Sequence, residues 1–380
     1  MLKGEIRKIL LSDDRMIPTR SETNDRAGHD CTAPPVGQES LHMAATCIEV
    51  SSREDFDASN HQIRICVATV TRDRPKMLEA LLMSYANLIR PHGVYLDFLV
   101  VENNHEKTLE HVVERFRHEV ETLQCDYILE RRIGIASARN GALEHAIARG
   151  YHFLAFADDD ERVSASWLVE LLREQRSKGL DLVGSPVRIE AFDPPSSTWQ
   201  LLLLRGMKKN NESAERRCIK LRERGRSGSI KIATGSWLAR LSFLRASGLR
   251  FDADLALGGG EDWKFWQEAK NLGAKTGWTP YAIVHEDVPA SRMSLYYCYR
   301  RSRDHARQTS FVRRGRLKDQ ARLVSSFAMR LCKIVVSVAF VPIRRERALI
   351  AIAANIGSAV GLVEGAMGIL SAHYRRIDGC

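Results

Sequence analysis

Four carboxylates, Asp158, Asp159, Asp160 and Glu161, follow directly on the apolar run Phe153–Ala157. Asp is a poor strand former. Carboxylates crowded against a core are costly unless a cation or basic groups neutralise them. The stretch is therefore either an acidic turn capping the next helix, where carboxylates favour the dipole, or a holder for a hard cation. Asp158 and Asp160 are two apart and share a side if the chain stays extended. Mg2+ or Mn2+ takes such oxygens and keeps positions open for phosphate. A second acidic pair, Glu261 and Asp262, follows three glycines in "LGGGEDWKFWQEA", residues 257–269. Those glycines permit close backbone approach. The pair is either helix-start acids or a general base carried by a mobile loop, and Trp263 and Trp266 read as packing. A third candidate is "VHEDVPASR", 284–292. His285 there is a metal ligand or a solvated strand-end residue, and Arg292, Arg300 and Arg301 are suited to neutralise a diphosphate.

These residues need elements to position them. From residue 63 the pattern alternates between β-branched apolar runs and amphipathic stretches. Strands are expected at 63–70, 94–104, 127–129, 151–157 and 180–187. Helices are expected at 77–89, 108–123, 134–150 and 164–179, the last two ended by Gly150 and Gly179. Such alternation implies an α/β fold with a mainly parallel sheet and helices on both faces. Ligands then bind beyond the carboxyl ends of the strands. The polar residues there are Thr69 to Arg74, Glu102 to Asn104 and Asp158 to Glu161, and they should converge on one edge. The basic stretch 205–231 has few apolar residues and reads as a mobile loop.

The chain has 380 residues, 44% hydrophobic, enough for one large domain or two ordinary ones. Its 8 cysteines show no C-x-x-C spacing, which excludes a disulfide scaffold or a cysteine zinc site. Residues 1–60 are polar, begin without an apolar signal core, and are expected to form a disordered leader. The net charge of +10 is uneven: residues 292–347 hold 15 Lys/Arg against 3 Asp/Glu, a net of +12. Such a block suits phosphate in nucleic acid, anionic lipid or a phosphorylated carrier. No base-reading or RNA-stacking motif accompanies it, so no nucleic-acid partner is expected.

Taken together, "ICVATVTRDRP", "VVENN", "GIASARNGAL", "LAFADDDERVSASWL", "IATGSWLARLSF", "GGGEDWKFWQEAKNLGAKTGWTPYAIVHEDVP" and "RMSLYYCYRRS" resemble the family-2 glycosyltransferases of GT-A fold, over about residues 62–305. The resemblance implies an inverting, metal-dependent hexosyltransferase. Thr69, Thr71, Arg72 and Glu102 would hold the nucleobase and ribose. Arg139 and Asn140 would line the donor pocket. Asp158 and Asp160 would form the D-x-D pair with Asp159 between them, the last holding the divalent ion (Mg2+ or Mn2+). Asp262 would be the catalytic base with Glu261 beside it, and His285, Arg292 and Arg300 would close over metal and diphosphate. A UDP-sugar, with UDP-glucose favoured, would be the donor. Glu102 stands where many relatives have Asp. The resemblance divides the chain into a nucleotide-sugar half, 61–190, an acceptor half, 191–305, and a basic, apolar helical region, 306–380.

Two other readings compete. A sugar nucleotidyltransferase would carry a glycine-rich signature with a following Lys near the first strand, and none is present. A non-catalytic membrane- or nucleic-acid-binding protein would leave the acidic clusters as helix caps. At the C-terminal end, residues 334–343 are apolar but too short to span a bilayer. Residues 348–372 hold one charge, Glu364, and place Gly357, Gly361 and Gly365 at the spacing of a close-packed helix seam. That segment either packs on the catalytic domain or meets the membrane. With the basic block before it, the expectation is interfacial attachment to the cytoplasmic face of the inner membrane, near a lipid-linked acceptor.

Overall fold

The computed structural model describes residues 62–253, 260–313 and 317–369. The expected leader lies outside them, as do Gly258 and Gly259 of the proposed loop. The chain enters β1 (Ile63–Thr71), then α1 (Pro75–Ala86), whose first position is a proline with φ already set for a helix. β2 (Val94–Glu102), α2 (Glu110–Val120), β3 (Cys125–Leu129), α3 (Ile135–Ala148), β4 (Phe153–Ala157), β5 (Glu161–Val163) and α4 (Trp167–Lys178) follow. The expected strand at 180–187 is two strands, β6 (Leu182–Gly184) and β7 (Val187–Ala191). Pro186 separates them, because it has no N–H to continue a ladder. Then come α5 (Thr198–Glu223), β8 (Ser236–Arg240), α6 (Leu241–Ser247), α7 (Glu261–Asn271), β9 (Thr276–Trp278) and β10 (Val284–Val288). Three helices end the described chain: α8 (Leu295–Arg313), α9 (Leu317–Ala339) and α10 (Arg345–Ala366).

The main sheet has the order β3-β2-β1-β4-β8-β6-β9, and a small second sheet has the order β5-β10-β7. In the main sheet only β8 runs antiparallel to its neighbours, so the expectation of a mainly parallel sheet holds. Both faces are covered, which is why β1 is a continuous apolar run and not an alternating one. Ile65 and Val67 meet Leu78, Leu82, Phe116 and Trp167 on one side. Cys66 and Ala68 meet Leu143, Trp237 and Phe265 on the other. Because β2, β1 and β4 are parallel neighbours, their carboxyl ends open on one edge. Thr71 pairs with Glu102, and Ala68 with Phe156.

The basic stretch 205–231 is not a loop. Most of it lies in α5, 26 residues long and capped by Ser197, whose hydroxyl accepts from the Gln200 N–H. Lys, Arg, Glu and Leu are good helix formers, and burial is confined to Leu203, Leu204 and Gly206. Ion pairs do the rest: Arg188 with Glu215, and Arg222 bidentate to Glu174 at 2.5 and 2.9 Å. Glu174 is buried, which alone would raise its pKa, but its bonds to Arg222 and Lys178 outweigh that and hold it below the usual carboxylate range.

α10 is long and apolar enough to cross a membrane, yet part of it is buried inside the protein. Its glycine seam faces α8. A Cβ added at Gly357 or Gly361 would collide with the backbone carbonyl of Tyr299 or Arg303. Glu364, the seam's charge, accepts from Arg307 Nε at 2.7 Å. α8 runs through residue 305, so the expected boundary there falls inside one helix.

Two outcomes follow. Gly361→Ala should cost about 1–3 kcal/mol by overpacking a backbone contact, read as a lower urea midpoint and faster proteolysis near α10. Glu174→Gln should lose about 1.5–3 kcal/mol at neutral pH. Because the folded pKa is depressed, wild type holds this stability above the usual Glu range and loses it as pH falls through the folded value. The gap between the two proteins should therefore shrink below about pH 4, measured by denaturation across pH.

Candidate active site

Strand ends supply most of the acids; Arg139 comes from α3, Arg74 from the residue before α1 and Arg292 from the short turn after β10. Asp158 stands at the end of β4 and accepts from Arg139 Nη2 at 2.8 Å. The other arm of that guanidinium, Nη1, donates to Glu261 Oε1 at 2.7 Å. Arg139 is only 3% exposed and lies about 6 Å from the ring centres of Phe156 and Phe251. Asp159 accepts from Thr71 Oγ1 and Arg74 Nη1, both at 2.9 Å. Asp160 accepts from Arg292 Nη1 at 2.8 Å and has Arg74 at 3.5 Å. Glu161 turns inward, accepts the Asp158 N–H at 2.8 Å, and packs where Gly235 leaves room for no side chain. Asp158, Asp159 and Asp160 are thus each bonded to arginine, and Glu161 to backbone.

The compensation is incomplete. Asp158, Asp159, Asp160, Glu261 and Glu286 pair with Arg74, Arg139 and Arg292, whereas Glu161 is held by the Asp158 N–H. Burial and neighbouring acids accordingly push Glu161, Glu261 and Glu286 above the usual carboxylate range. Asp159 is also raised, by burial that Arg74 only partly offsets. Asp160 is the exception. Burial would raise it, but Arg292 and Arg74 hold it low and ionised.

Asp262 differs from its neighbour. Gly260, at φ +92, turns the chain into α7 in a conformation that favours glycine. Glu261 then points into the protein toward Arg139. Asp262 is part-exposed, with Oδ1 accepting its Trp263 N–H at 2.7 Å and Oδ2 3.4 Å from Lys231 Nζ.

Other expected residues sit differently. Glu102 has the right position, but its carboxylate is buried and accepts from Thr108 and Tyr127. Burial would raise its pKa, yet those donors hold it below the usual range. It orders the loop after β2. Thr69 is buried, with its hydroxyl lacking a protein partner, and Arg72 lies 3.8 Å from Asp73. Asn140 clamps backbone, donating to the Phe251 carbonyl and accepting the Phe251 N–H, both at 2.8 Å. Arg300 is half-buried on α8, while the charge reaching Glu286 is that of Arg301.

His285 is not brought to Asp158 and Asp160. It pairs with Arg162 across β10 and β5, and its Nδ1 lies 3.1 Å from Glu190 without hydrogen-bond geometry. Asp287, on the same side of the strand, binds Arg162. Alternation then turns Glu286 to the other side, where Arg292 lies 3.8 Å away. Sequence reasoning missed Glu286 and Lys231. The signal for Glu286 was the period of two in "VHEDV"; nothing local marks Lys231.

Among the described residues no three His, Cys, Asp or Glu side chains already form a metal cage. The donor chemistry nevertheless fits a divalent ion. Hard carboxylate oxygens gather at a strand-end edge, and Glu261 Oε2 is buried without a hydrogen-bond partner.

Comparison with known proteins agrees with the fold. Residues 66–241 match the profile of "Glycosyl transferase family 2". The chain is 30% identical over 242 residues to the "Succinoglycan biosynthesis protein ExoM" of Rhizobium meliloti (strain 1021), covering 64% of this chain and 72% of that one. The mannosyltransferase PcManGT from Pyrobaculum calidifontis, solved with GDP-Man and Mn2+, superposes with a TM-score of 0.50 at 16% identity over 80% of this chain and 88% of that one. S. aureus TarS gives 0.43 at 17% identity, with 64% of this chain but 39% of that one covered, so the chain spans well under half of TarS. The architecture is the GT-A fold.

Arg139→Met should strand Glu261 as a buried, unpaired carboxylate and leave the part-exposed Asp158 without its guanidinium. The expected cost is about 3–5 kcal/mol in urea unfolding. Adding Glu261→Leu should recover part of it, and strict additivity of the two changes would refute the bridge.

Proposed function

The chain belongs to glycosyl transferase family 2, and on that premise we propose that it is an inverting transferase moving a sugar from a nucleotide diphosphate. The observation that carries the reading is the double bond of Arg139, which ties the strand-end acid Asp158 to Glu261, the neighbour of Asp262. Donor-side and acceptor-side acids thereby belong to one network. Asp158 and Asp160 would hold Mg2+ or Mn2+, which when bound supplies Lewis-acid stabilisation of the leaving diphosphate.

The remaining work belongs to the protein's own groups. Arg74 and Arg292 keep Asp160 ionised and fixed in place. Glu261, anchored by Arg139, sets the first turn of α7 and so aims Asp262. The Asp262 carboxylate, part-exposed beside Lys231, takes the proton from the acceptor hydroxyl as it attacks the anomeric carbon. Attack opposite the leaving group inverts that centre, so an α-linked donor gives a β-linked product. The strand-end residues Thr69, Thr71 and Arg72 would meet the nucleoside, with Glu102 acting through its loop. UDP-glucose is the favoured donor. The likeness to a succinoglycan biosynthesis protein supports a role in surface polysaccharide assembly on a lipid-linked acceptor. A nucleotide-sugar half followed by an acceptor half, and attachment at the cytoplasmic face of the inner membrane, belong to the same reading.

Purified protein with Mn2+ or Mg2+ and a panel of nucleotide sugars should release nucleoside diphosphate from one of them. Asp160→Asn should abolish that release. Asp262→Asn should bind donor normally but transfer about 10²–10⁴-fold more slowly. Absence of both release and UDP binding would sink the proposal.

A further inference from the structure

One acid of the site stands where its strand carries apolar residues. β10 is the middle strand of the small sheet. Successive side chains alternate, so Val284, Glu286 and Val288 share one side of it. Val284 and Val288 are 0% and 1% exposed, which makes that side the buried one. On the other side His285 lies beside Glu190, and Asp287 accepts from Arg162 through both oxygens at 2.7 Å. Those charges are matched within the sheet. Glu286 is matched poorly. No hydrogen bond from a described residue reaches its carboxylate, and Arg292 Nη1 stands 3.8 Å away, beyond hydrogen-bond length.

The surroundings add negative charge. β10 and β5 run antiparallel with Glu286 directly opposite Glu161, itself 4% exposed. Like charges opposed across strands are destabilising. The same ladder carries Glu286 to the strand-end acids, because the Asp287 N–H donates to the Asp160 carbonyl at 2.7 Å. The nitrogen that Glu286 approaches, Arg292 Nη1, is also the one that donates to Asp160 Oδ2 at 2.8 Å. One cationic nitrogen thus stands beside both carboxylates. Arg292 is 9% exposed, and its Nε is buried without a hydrogen-bond partner, so the guanidinium keeps a donor for a further acceptor. An acid opposed to another acid, with a long contact to a shared arginine, adds little to folding. A hard divalent ion takes such oxygens.

We propose that Glu286, and not His285, joins Asp160 in holding the divalent ion, and that the ion competes with Arg292 for both carboxylates. Arg292, freed beside the acids, then has its donors for the diphosphate. The proposal rests on the transferase reading and adds to its metal site a residue whose place the resemblance gave to His285.

The test titrates the full chain with Mn2+ alone and follows the free ion by electron paramagnetic resonance, without nucleotide or turnover. Glu286→Gln should weaken Mn2+ binding by at least about tenfold, as Asp160→Asn does, whereas His285→Ala should leave it unchanged. Arg292→Gln, which frees both carboxylates, should bind Mn2+ at least as tightly as wild type, and it keeps the test decisive if Glu286→Gln does not fold. Urea unfolding without metal separates a ligand from a structural acid. Glu286→Gln removes the repulsion against Glu161 and should keep or raise the midpoint. Unchanged Mn2+ affinity in Glu286→Gln, a loss in His285→Ala instead, weaker binding in Arg292→Gln or a lowered metal-free midpoint would overturn the assignment. Wild type that binds no Mn2+ would refute the metal-dependent reading as well, so the two failures are told apart.

Discussion

Arg139 is an always-charged guanidinium placed almost wholly inside the protein. It can stay there only because each arm meets a carboxylate, and those carboxylates come from residues far apart in the chain. That constraint fixes the end of β4 relative to the start of α7. It also fixes α3, which must present Arg139 at the correct height. Asn103 helps from the end of β2. Its side chain donates to the Glu130 and Arg132 carbonyls at 2.9 Å and accepts the Gly134 N–H at 2.8 Å. Gly134, at φ +149, starts α3 in a conformation that favours glycine. Asn140, one residue after Arg139, holds the Phe251 backbone. The aromatic pair Phe251 and Phe265, stacked at 4.2 Å, carries the arrangement into the core.

The acidic edge follows from this frame. A parallel sheet delivers Thr71, Glu102 and Asp158 to neighbouring strand ends, and α3, the turn before α1 and the turn after β10 deliver Arg139, Arg74 and Arg292. Arginine pairs lower the cost of burying the acids without cancelling their charge. Burial and neighbouring acids raise the pKa values of Glu161, Glu261 and Glu286.

The strand-end logic was legible because it needs only local patterns and the rule for parallel sheets. Long-range pairing was not legible. "ARN" gave Arg139 a place, but its two partners depend on how α7 returns beneath the sheet. α5 was misread because a basic stretch with few apolar residues looks solvated. Its stability comes from Glu174 and Arg188, which are distant in sequence. His285 and Glu286 are adjacent letters, and only the pairing of β10 with β5 and β7 decides which one faces the acids. The split of 180–187 was marked by Pro186, yet sheet membership of the two halves was not.

The C-terminal helices show why composition alone misplaces a surface. The glycine spacing of α10 suits a seam between membrane helices, but here the seam is filled by α8, with Ser310 donating to the Leu362 carbonyl at 2.7 Å and Arg307 matching Glu364. An apolar helix so used is held by the protein. α9, with more charge and less apolar length, leaves its valines in the open and its lysine inside. The more exposed apolar face is therefore on the helix whose sequence announces it less.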